Sequence, residues 1–404
     1  MEETMDSNKK HNFCIIPGRV KLSDIYIVFI GIYFFMYSII HGTNFYQMTN
    51  ISSIISSIWG FLWIGIRLLI LIKVISEYQR RDWKVILLLI FSMVLSVKAD
   101  GVWFTDAVWI ICSLKHVDYK ALLKCVFFAL MMSLTCIVGL CYIGKLSDDL
   151  FFRGEGLIRH SFGYQHPNTL AIRVFELCAI FVCILQKKLR YVHSVIFMVL
   201  TLIVKYYTDC TTAGMMLGIL SLSIIFICYA NNSKNRRVGL IRKFVRFCMD
   251  KMKYMVYILP VLTIVFVLKS SWLQSMAKGT LLSRIIQARL YYSKYGISLL
   301  GSRLQVNNQN KNWSLISDLY TLDNGYMYML LGYGIIAFAL FIYVEVRLFV
   351  LFARKKNYTI LTVLALYAVY GFMETMLIRI DTNFTLLFIG ICLWENNRKK
   401  IDDI

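Results

Sequence analysis

Proline is nearly missing from this chain: Pro17, Pro167 and Pro260 are the three among 404 residues. Charge is thin too. Asp, Glu, Lys and Arg make up 17% of the sequence, where soluble globular domains carry about a quarter. There is no Pro-rich or Gly/Ser-rich linker, no internal repeat and no low-complexity tract, so residues 1–404 read as a single transmembrane domain. No small-residue cleavage site follows the first apolar stretch after the polar opening MEETMDSNKKHN, and no cleaved signal peptide is expected. Cysteine is not scarce, at eleven, but it makes no Cys-X-X-Cys and no Cys/His ligand spacing. Cys112, Cys125, Cys136, Cys141, Cys178, Cys183, Cys228 and Cys392 stand inside apolar stretches, where the thiol behaves as a small hydrophobe.

What the chain does have is apolar surface: 58% hydrophobic residues and a mean hydropathy of +0.63. A membrane helix needs roughly 20 such residues. Apolar stretches fall near 25–41, 54–75, 84–98, 101–115, 121–143, 168–186, 191–207, 212–230, 254–270, 325–345, 359–377 and 382–395. They predict an all-α polytopic membrane protein of about twelve transmembrane helices. With the N-terminus in the cytoplasm, 28 of the 44 Lys and Arg lie on that side and 10 on the other. That is the positive-inside pattern, and it places both termini in the cytoplasm. Topology thus accounts for most of the net charge of +21, with the lipid bilayer as the partner and no need for nucleic acid. Residues 231–253 form the most basic cytoplasmic loop.

Two extracytoplasmic loops are long, 144–165 and 271–324, and they hold nine of the ten outward cations. Loops of that length usually have a function. They contain no DxD pair, no HExxH and no Gly-rich phosphate loop, and Asp148 and Asp149 are adjacent rather than spaced as metal ligands. Chemistry there is expected to use Arg, His and a carboxylate, with no metal and no cofactor.

Four groups of residues qualify. The first is Arg153, Arg159, His160 and the run Ser161–Leu170, SFGYQHPNTL. Pro167 suits the first turn of a helix, which sets His166 at its mouth, where free N–H groups favour anions. Arg173 follows on the same face; it either serves function or pairs with Glu176 and locks helices together. The second is Leu281–Leu304, LLSRIIQARLYYSKYGISLLGSRL. Its spacing predicts an amphipathic helix with Ser283, Arg284, Gln287, Tyr291 and Lys294 on one face and Leu281, Leu282, Ile285 and Ile286 largely on the other. Arg289 interrupts the apolar face; it either reaches a partner inside the protein or snorkels from a helix resting on lipid. Arg303 closes this stretch. The third is Leu322–Gly334, LDNGYMYMLLGYG, where Asp323 and Asn324 are good N-caps. The fourth is intramembrane: Arg67, a candidate to pair with Glu374; Arg379 and Asp381 beyond it; Lys73, expected to snorkel; and Lys205 with Asp209, four residues apart and expected to pair.

In this order, SFGYQHPNTL, LLSRIIQARLYYSKYGISLLGSRL, LDNGYMYMLLGYG and GFMETMLIRIDTNFTLLF (Gly371–Phe388) resemble the Wzy-type polysaccharide polymerases of the O-antigen ligase/polymerase superfamily. The resemblance runs from about Trp83 to Trp394. It departs at TDCTTAG (Thr208–Gly214), where the family often carries an arginine. It implies a GT-C-like fold in a bacterial plasma membrane. It also implies a donor glycan on undecaprenyl pyrophosphate and an acceptor repeat unit on the same lipid, working beside a flippase and a chain-length regulator. On that resemblance Arg284 and Arg289 would hold the pyrophosphate. Arg153, Arg159, Arg173, Arg303, Asp323 and Asn324 would line the substrate site, and His166 would act as base or phosphate contact. A ligase of the same superfamily, a lipid-linked oligosaccharide flippase and an inactive assembly partner are the alternatives.

Overall fold

The computed structural model describes residues 14–16, 20–47, 49–79, 82–99, 102–153, 157–231, 239–268, 280–305 and 322–394. Parts of four sequence assignments lie outside these: both termini, 154–156 of the first outer loop, 232–238 of the basic loop, and 271–279 with 306–321 of the second outer loop.

After a short hairpin, β1 (Cys14–Ile16) with β2 (Val20–Lys21), the described residues are mostly helical. α1 spans Leu22–Gly42, α2 Thr49–Ser76, α3 Trp83–Lys98, α4 Val102–Cys112 and α5 Tyr119–Tyr142. A second hairpin, β3 (Leu150–Arg153) and β4 (Leu157–His160), precedes α6 (Pro167–Leu185), α7 (Tyr191–Thr208) and α8 (Thr211–Asn231). Then come α9 (Gly239–Lys251), α10 (Met255–Leu268), α11 (Thr280–Tyr295), α12 (Gly325–Gly332), α13 (Gly334–Arg354), α14 (Tyr358–Met373) and α15 (Ile389–Leu393). The helices start where side chains can satisfy the orphan N–H groups. Asp118 caps α5 through Lys120 N at 2.9 Å and Ala121 N at 3.2 Å, and Asn357 caps α14 through Ile360 N at 3.2 Å.

Among the described residues, eight helices are long and apolar enough to cross a membrane: Leu22–Gly42, Ser56–Ser76, Tyr119–Tyr142, Pro167–Lys188, Tyr191–Thr208, Thr211–Asn231, Lys243–Leu268 and Gly334–Arg354. Several predicted spans are shorter than their apolar stretches. The 101–115 stretch yields an 11-residue helix, about 16 Å long against a hydrocarbon core of about 30 Å. The 382–395 stretch yields a 3-10 turn, Phe384–Phe388, and the five-residue α15.

The 325–345 stretch needs correction: it is broken into α12 and α13, and the long apolar helix is Gly334–Arg354. The break is built by backbone. Gly334 takes φ +85°, and residues 298–302 insert beside it. Ser302 N–H donates to Leu331 O at 2.9 Å, and Ile335 N–H donates to Ser298 O at 3.0 Å. A Cβ on Gly301 would collide with the carbonyl of Gly332, and one on Gly334 with the backbone of Gly301 and Leu299.

α14 is the centre, buried from Tyr358 almost to its end, with α6, α8, α10 and α13 packed around it. α2 and α7 form outer walls: 17% and 22% of their apolar windows are buried, against 61% for α6. The outer faces are apolar (Phe61, Ile64, Leu68; Val195, Leu202, Tyr206), as lipid contact requires. α7 and α8 pair through reciprocal serine bonds, Ser194 Oγ to Ser221 O at 2.8 Å and Ser221 Oγ to Ser194 O at 2.7 Å. Cys112, Cys125, Cys136, Cys141, Cys178, Cys183, Cys210, Cys228 and Cys248 are free thiols.

Candidate functional site

One end of the bundle gathers the start of α6, the end of α7, the starts of α8 and α12, and the end of α14, with β4 and α11 against them. His166 is the N-cap of α6, as Pro167 foretold: its Nδ1 accepts from Asn168 N–H at 3.1 Å, and Phe151 packs edge-on at 4.7 Å. Burial, then the charge of Arg159, push its pKa from 6.5 down to about 4, so the ring is neutral at neutral pH. A neutral ring whose Nδ1 accepts carries its proton on Nε2, so His166 presents a donor there.

Arg159 binds two segments at once. Its Nε donates to Thr208 O at 2.7 Å and its Nη2 to Asn168 Oδ1 at 2.6 Å, tying the α7–α8 turn to the first turn of α6. On the far side of that turn stands Arg284. Its Nη2 donates to Glu374 Oε1 at 2.8 Å and lies 3.4 Å from Thr212 Oγ1. Cys210, buried between Thr208 and Thr212, feels the charges of Glu374, Arg159 and Arg284 together. Two arginines more than a hundred residues apart therefore flank one five-residue turn, TDCTT.

Arg284 Nη1 is buried and has no hydrogen-bond partner. The residue lines a small cleft whose other walls are Thr263, Phe266 and Val267 of α10, Ile285 and Ala288 of α11, and Phe372 of α14. Asn324 borders the same cleft and caps α12, accepting from Met327 N–H at 2.9 Å and donating from Nδ2 to Phe372 O at 3.0 Å. Asp323 precedes it, close enough to act electrostatically on Glu374.

α11 forms, but its predicted faces are mixed: Ser283 and Lys294 stay exposed, while Arg284 and Tyr291 of the same predicted face turn inward. Arg284 faces inward with Ile285, Ala288 and Tyr291, while Leu290 and Arg289 lie exposed. Arg303 is exposed as well, beyond the segment that wedges into the α12–α13 break. Arg153 ends β3 opposite Leu157. Arg173 belongs elsewhere: buried in α6, it bonds Glu176 and donates to Asp381 O at 2.6 Å. It braces α6 against the turn after α14, the helix-locking role weighed for it from sequence.

The intramembrane pairs also sort differently. Glu374, a candidate partner for Arg67 on charge alone, pairs with Arg284; Arg67 pairs instead with Asp106 at 2.6 Å and stacks on Trp63 at 3.4 Å. Hydropathy shows that each charge needs a partner, not which helices meet. Lys73 does not snorkel: it is 1% exposed and bonds Glu77 at 2.7 Å and Lys115 O at 2.8 Å. Lys205 and Asp209 pair as expected. Asp148 organises the loop before α6, holding His160 Nδ1 at 2.6 Å and accepting from Ser161 N and Phe162 N.

No protein-family model matches the chain, and no curated protein and no solved structure matches it either. What the fold defines is a class: a mostly helical protein with eight helices, among the described residues, suited to crossing a membrane, carrying a cluster of arginines, histidine and carboxylate at one end of the bundle.

Proposed function

We propose that this protein polymerises lipid-pyrophosphate-linked oligosaccharide repeat units on the outer face of a bacterial plasma membrane. In this reading the chain crosses the membrane about twelve times, the short apolar helices included, with both termini in the cytoplasm and the Arg284 end outside. One observation supports it above the rest: the guanidinium of Arg284, with a buried and unpartnered Nη1, lines an apolar cleft between α10, α11 and α14. A group at that position must pair an anion with hydrocarbon, and a polyprenyl pyrophosphate supplies both.

The reaction needs little else. The acceptor hydroxyl attacks the anomeric carbon, the bond from that carbon to the pyrophosphate oxygen breaks, and the electron pair leaves with the pyrophosphate. Arg284 and Arg159 neutralise that developing charge from either side of the Thr208–Thr212 turn. His166 donates from Nε2 to a phosphate oxygen. Glu374, released from Arg284 as phosphate takes its place, accepts the hydroxyl proton.

The test is a deletion strain complemented with wild-type protein or Arg284→Ala, followed by analysis of lipid-linked glycans. Single repeat units accumulating outside support the polymerase. Long polymer retained on lipid would mean a ligase, and units trapped inside a flippase; an unchanged pool sinks the reading.

A further inference from the structure

The other end of the bundle carries a second charged surface that the proposed reaction does not use. α6, α8 and α14 each have one end at the Arg284 cluster, so their opposite ends lie about 30 Å away. There Asn357 Nδ2 donates to Gln186 Oε1 at 3.0 Å, which joins the α6–α7 turn to the α13–α14 turn. That single bond brings Lys187, Lys188 and Arg190 beside Arg354, Lys355 and Lys356, all exposed. α9 is pinned to the same end, with Arg246 Nη2 donating to Ala230 O of α8 at 2.7 Å and Tyr358 of α14 within reach of Asp250 and Arg246. Glu77, Asp82 and Asp118 are engaged, with Lys73, with Lys115 and with the first turn of α5. Asp250 then stands against the six exposed cations of the two turns, so this surface stays positive.

α9 adds an apolar row. Val245 and Met249 face the bundle, but Leu240, Phe244 and Phe247, spaced four and three residues apart, are 86%, 64% and 56% exposed on one stripe. The helix lies between α8 and α10, whose apolar lengths belong in hydrocarbon, so it sits at the depth where acyl chains give way to headgroups. A positive surface beside an apolar row at that depth matches one ligand chemistry: a phosphate diester headgroup with its acyl chains.

We infer that the surface formed by α9 and the α6–α7 and α13–α14 turns is a binding site for anionic phospholipid, with Lys187, Lys188, Arg354 and Lys356 taking the phosphate and Leu240, Phe244 and Phe247 the acyl chain. A soluble acidic protein would satisfy the cations but not an apolar row at headgroup depth. The site is independent of the polymerase reading, since it stands on the far end of the bundle and needs no glycan.

The test is native mass spectrometry of the purified full chain in detergent, titrated with equal amounts of phosphatidylglycerol and phosphatidylcholine. The wild type should retain phosphatidylglycerol over phosphatidylcholine by at least about fivefold. The quadruple variant Lys187→Gln, Lys188→Gln, Arg354→Gln, Lys356→Gln should lose that preference. A version with Arg replacing the three lysines and Arg354 kept should retain it. Phe244→Ser with Phe247→Ser should lower retention of both lipids. Equal thermal midpoints across the set show that the variants fold. Equal retention of the two lipids by the wild type, or an undiminished preference in the quadruple variant, overturns the assignment.

Discussion

Arg284 Nη2 lies 2.8 Å from Glu374 Oε1, joining α11 to the end of α14 across 90 residues of sequence. The pair is mostly enclosed, at 13% and 12% side-chain exposure, so neither group can lose its partner without leaving a buried charge. In the proposed reaction the incoming pyrophosphate supplies that replacement partner for Arg284. Arg284→Ala should therefore reduce polymer formation by about 10²–10³-fold. Arg284→Lys should recover little, because an ammonium cannot grip the incoming phosphate through two parallel N–H bonds. Polymer yield per unit of membrane-inserted protein measures both, and near-wild-type yield from Arg284→Ala would remove this residue from the site.

Arg159 acts as a fork, one nitrogen on Thr208 O and another on Asn168 Oδ1. Replacing it with Lys keeps the charge and loses one of the two ties. Activity should fall at least about tenfold in Arg159→Lys, with protease sensitivity rising in the α7–α8 turn. Unchanged activity together with unchanged proteolysis would show that the double contact is dispensable.

His166 predicts a pH effect with a definite sign. Its folded pKa, about 4, lies below the ordinary 6.5, so the unfolded chain takes up the proton first as pH falls. The half-buried neutral ring contributes its full stability above about pH 6.5 and loses it as pH drops toward 4. Between pH 7.5 and about 4.5 the thermal midpoint of the wild type should fall more steeply than that of His166→Asn, which keeps an N-capping side chain. Parallel slopes in the two proteins would contradict the burial of a neutral ring.

The Arg67–Asp106 pair ties α2, the most lipid-exposed of the apolar helices, to α4. Breaking it from one side, with Arg67→Leu or Asp106→Leu, should cost about 3 kcal/mol by stranding the other charge. The double Leu variant should regain much of that loss. A double-mutant cycle in detergent reads the coupling, and additive losses would show the pair to be incidental.

Gly334 allows the α12–α13 break. Gly334→Ala asks for an L side chain at φ +85° in contact with the backbone of Leu299 and Gly301. It should lower stability by at least about 1–3 kcal/mol and loosen residues 298–302. Hydrogen exchange at Ser302 and Ile335, whose amides bond across the break, gives the local readout; protection as in the wild type would argue against the wedge.

Much of the site was legible before the fold. The HPN run placed His166 at a helix mouth because Pro fits the first turn and the residue before it caps. Asn324 was a capping type at an apolar boundary, and it caps. α11 was legible as a helix but not which of its residues meet the bundle, since an arginine can face water, headgroups or a buried carboxylate. Glu374 was visible as a buried acid, yet its membership of the site was not, because nothing local distinguishes Arg67 from Arg284 as its partner.

Taken by itself, the sequence determined the class of this protein: long apolar runs can satisfy their backbone only as helices, and that is a property of each run summed along the chain. It also determined where the cations fall, since charge and its spacing are written residue by residue. Only the tertiary structure decided that Arg159 and Arg284 face one another across Thr208–Thr212, that Glu374 belongs to Arg284, and that Arg173 is a brace. Those are matters of which helices pack and at what rotation. They are settled by the burial of all the helices together, not by any stretch that a single pair occupies.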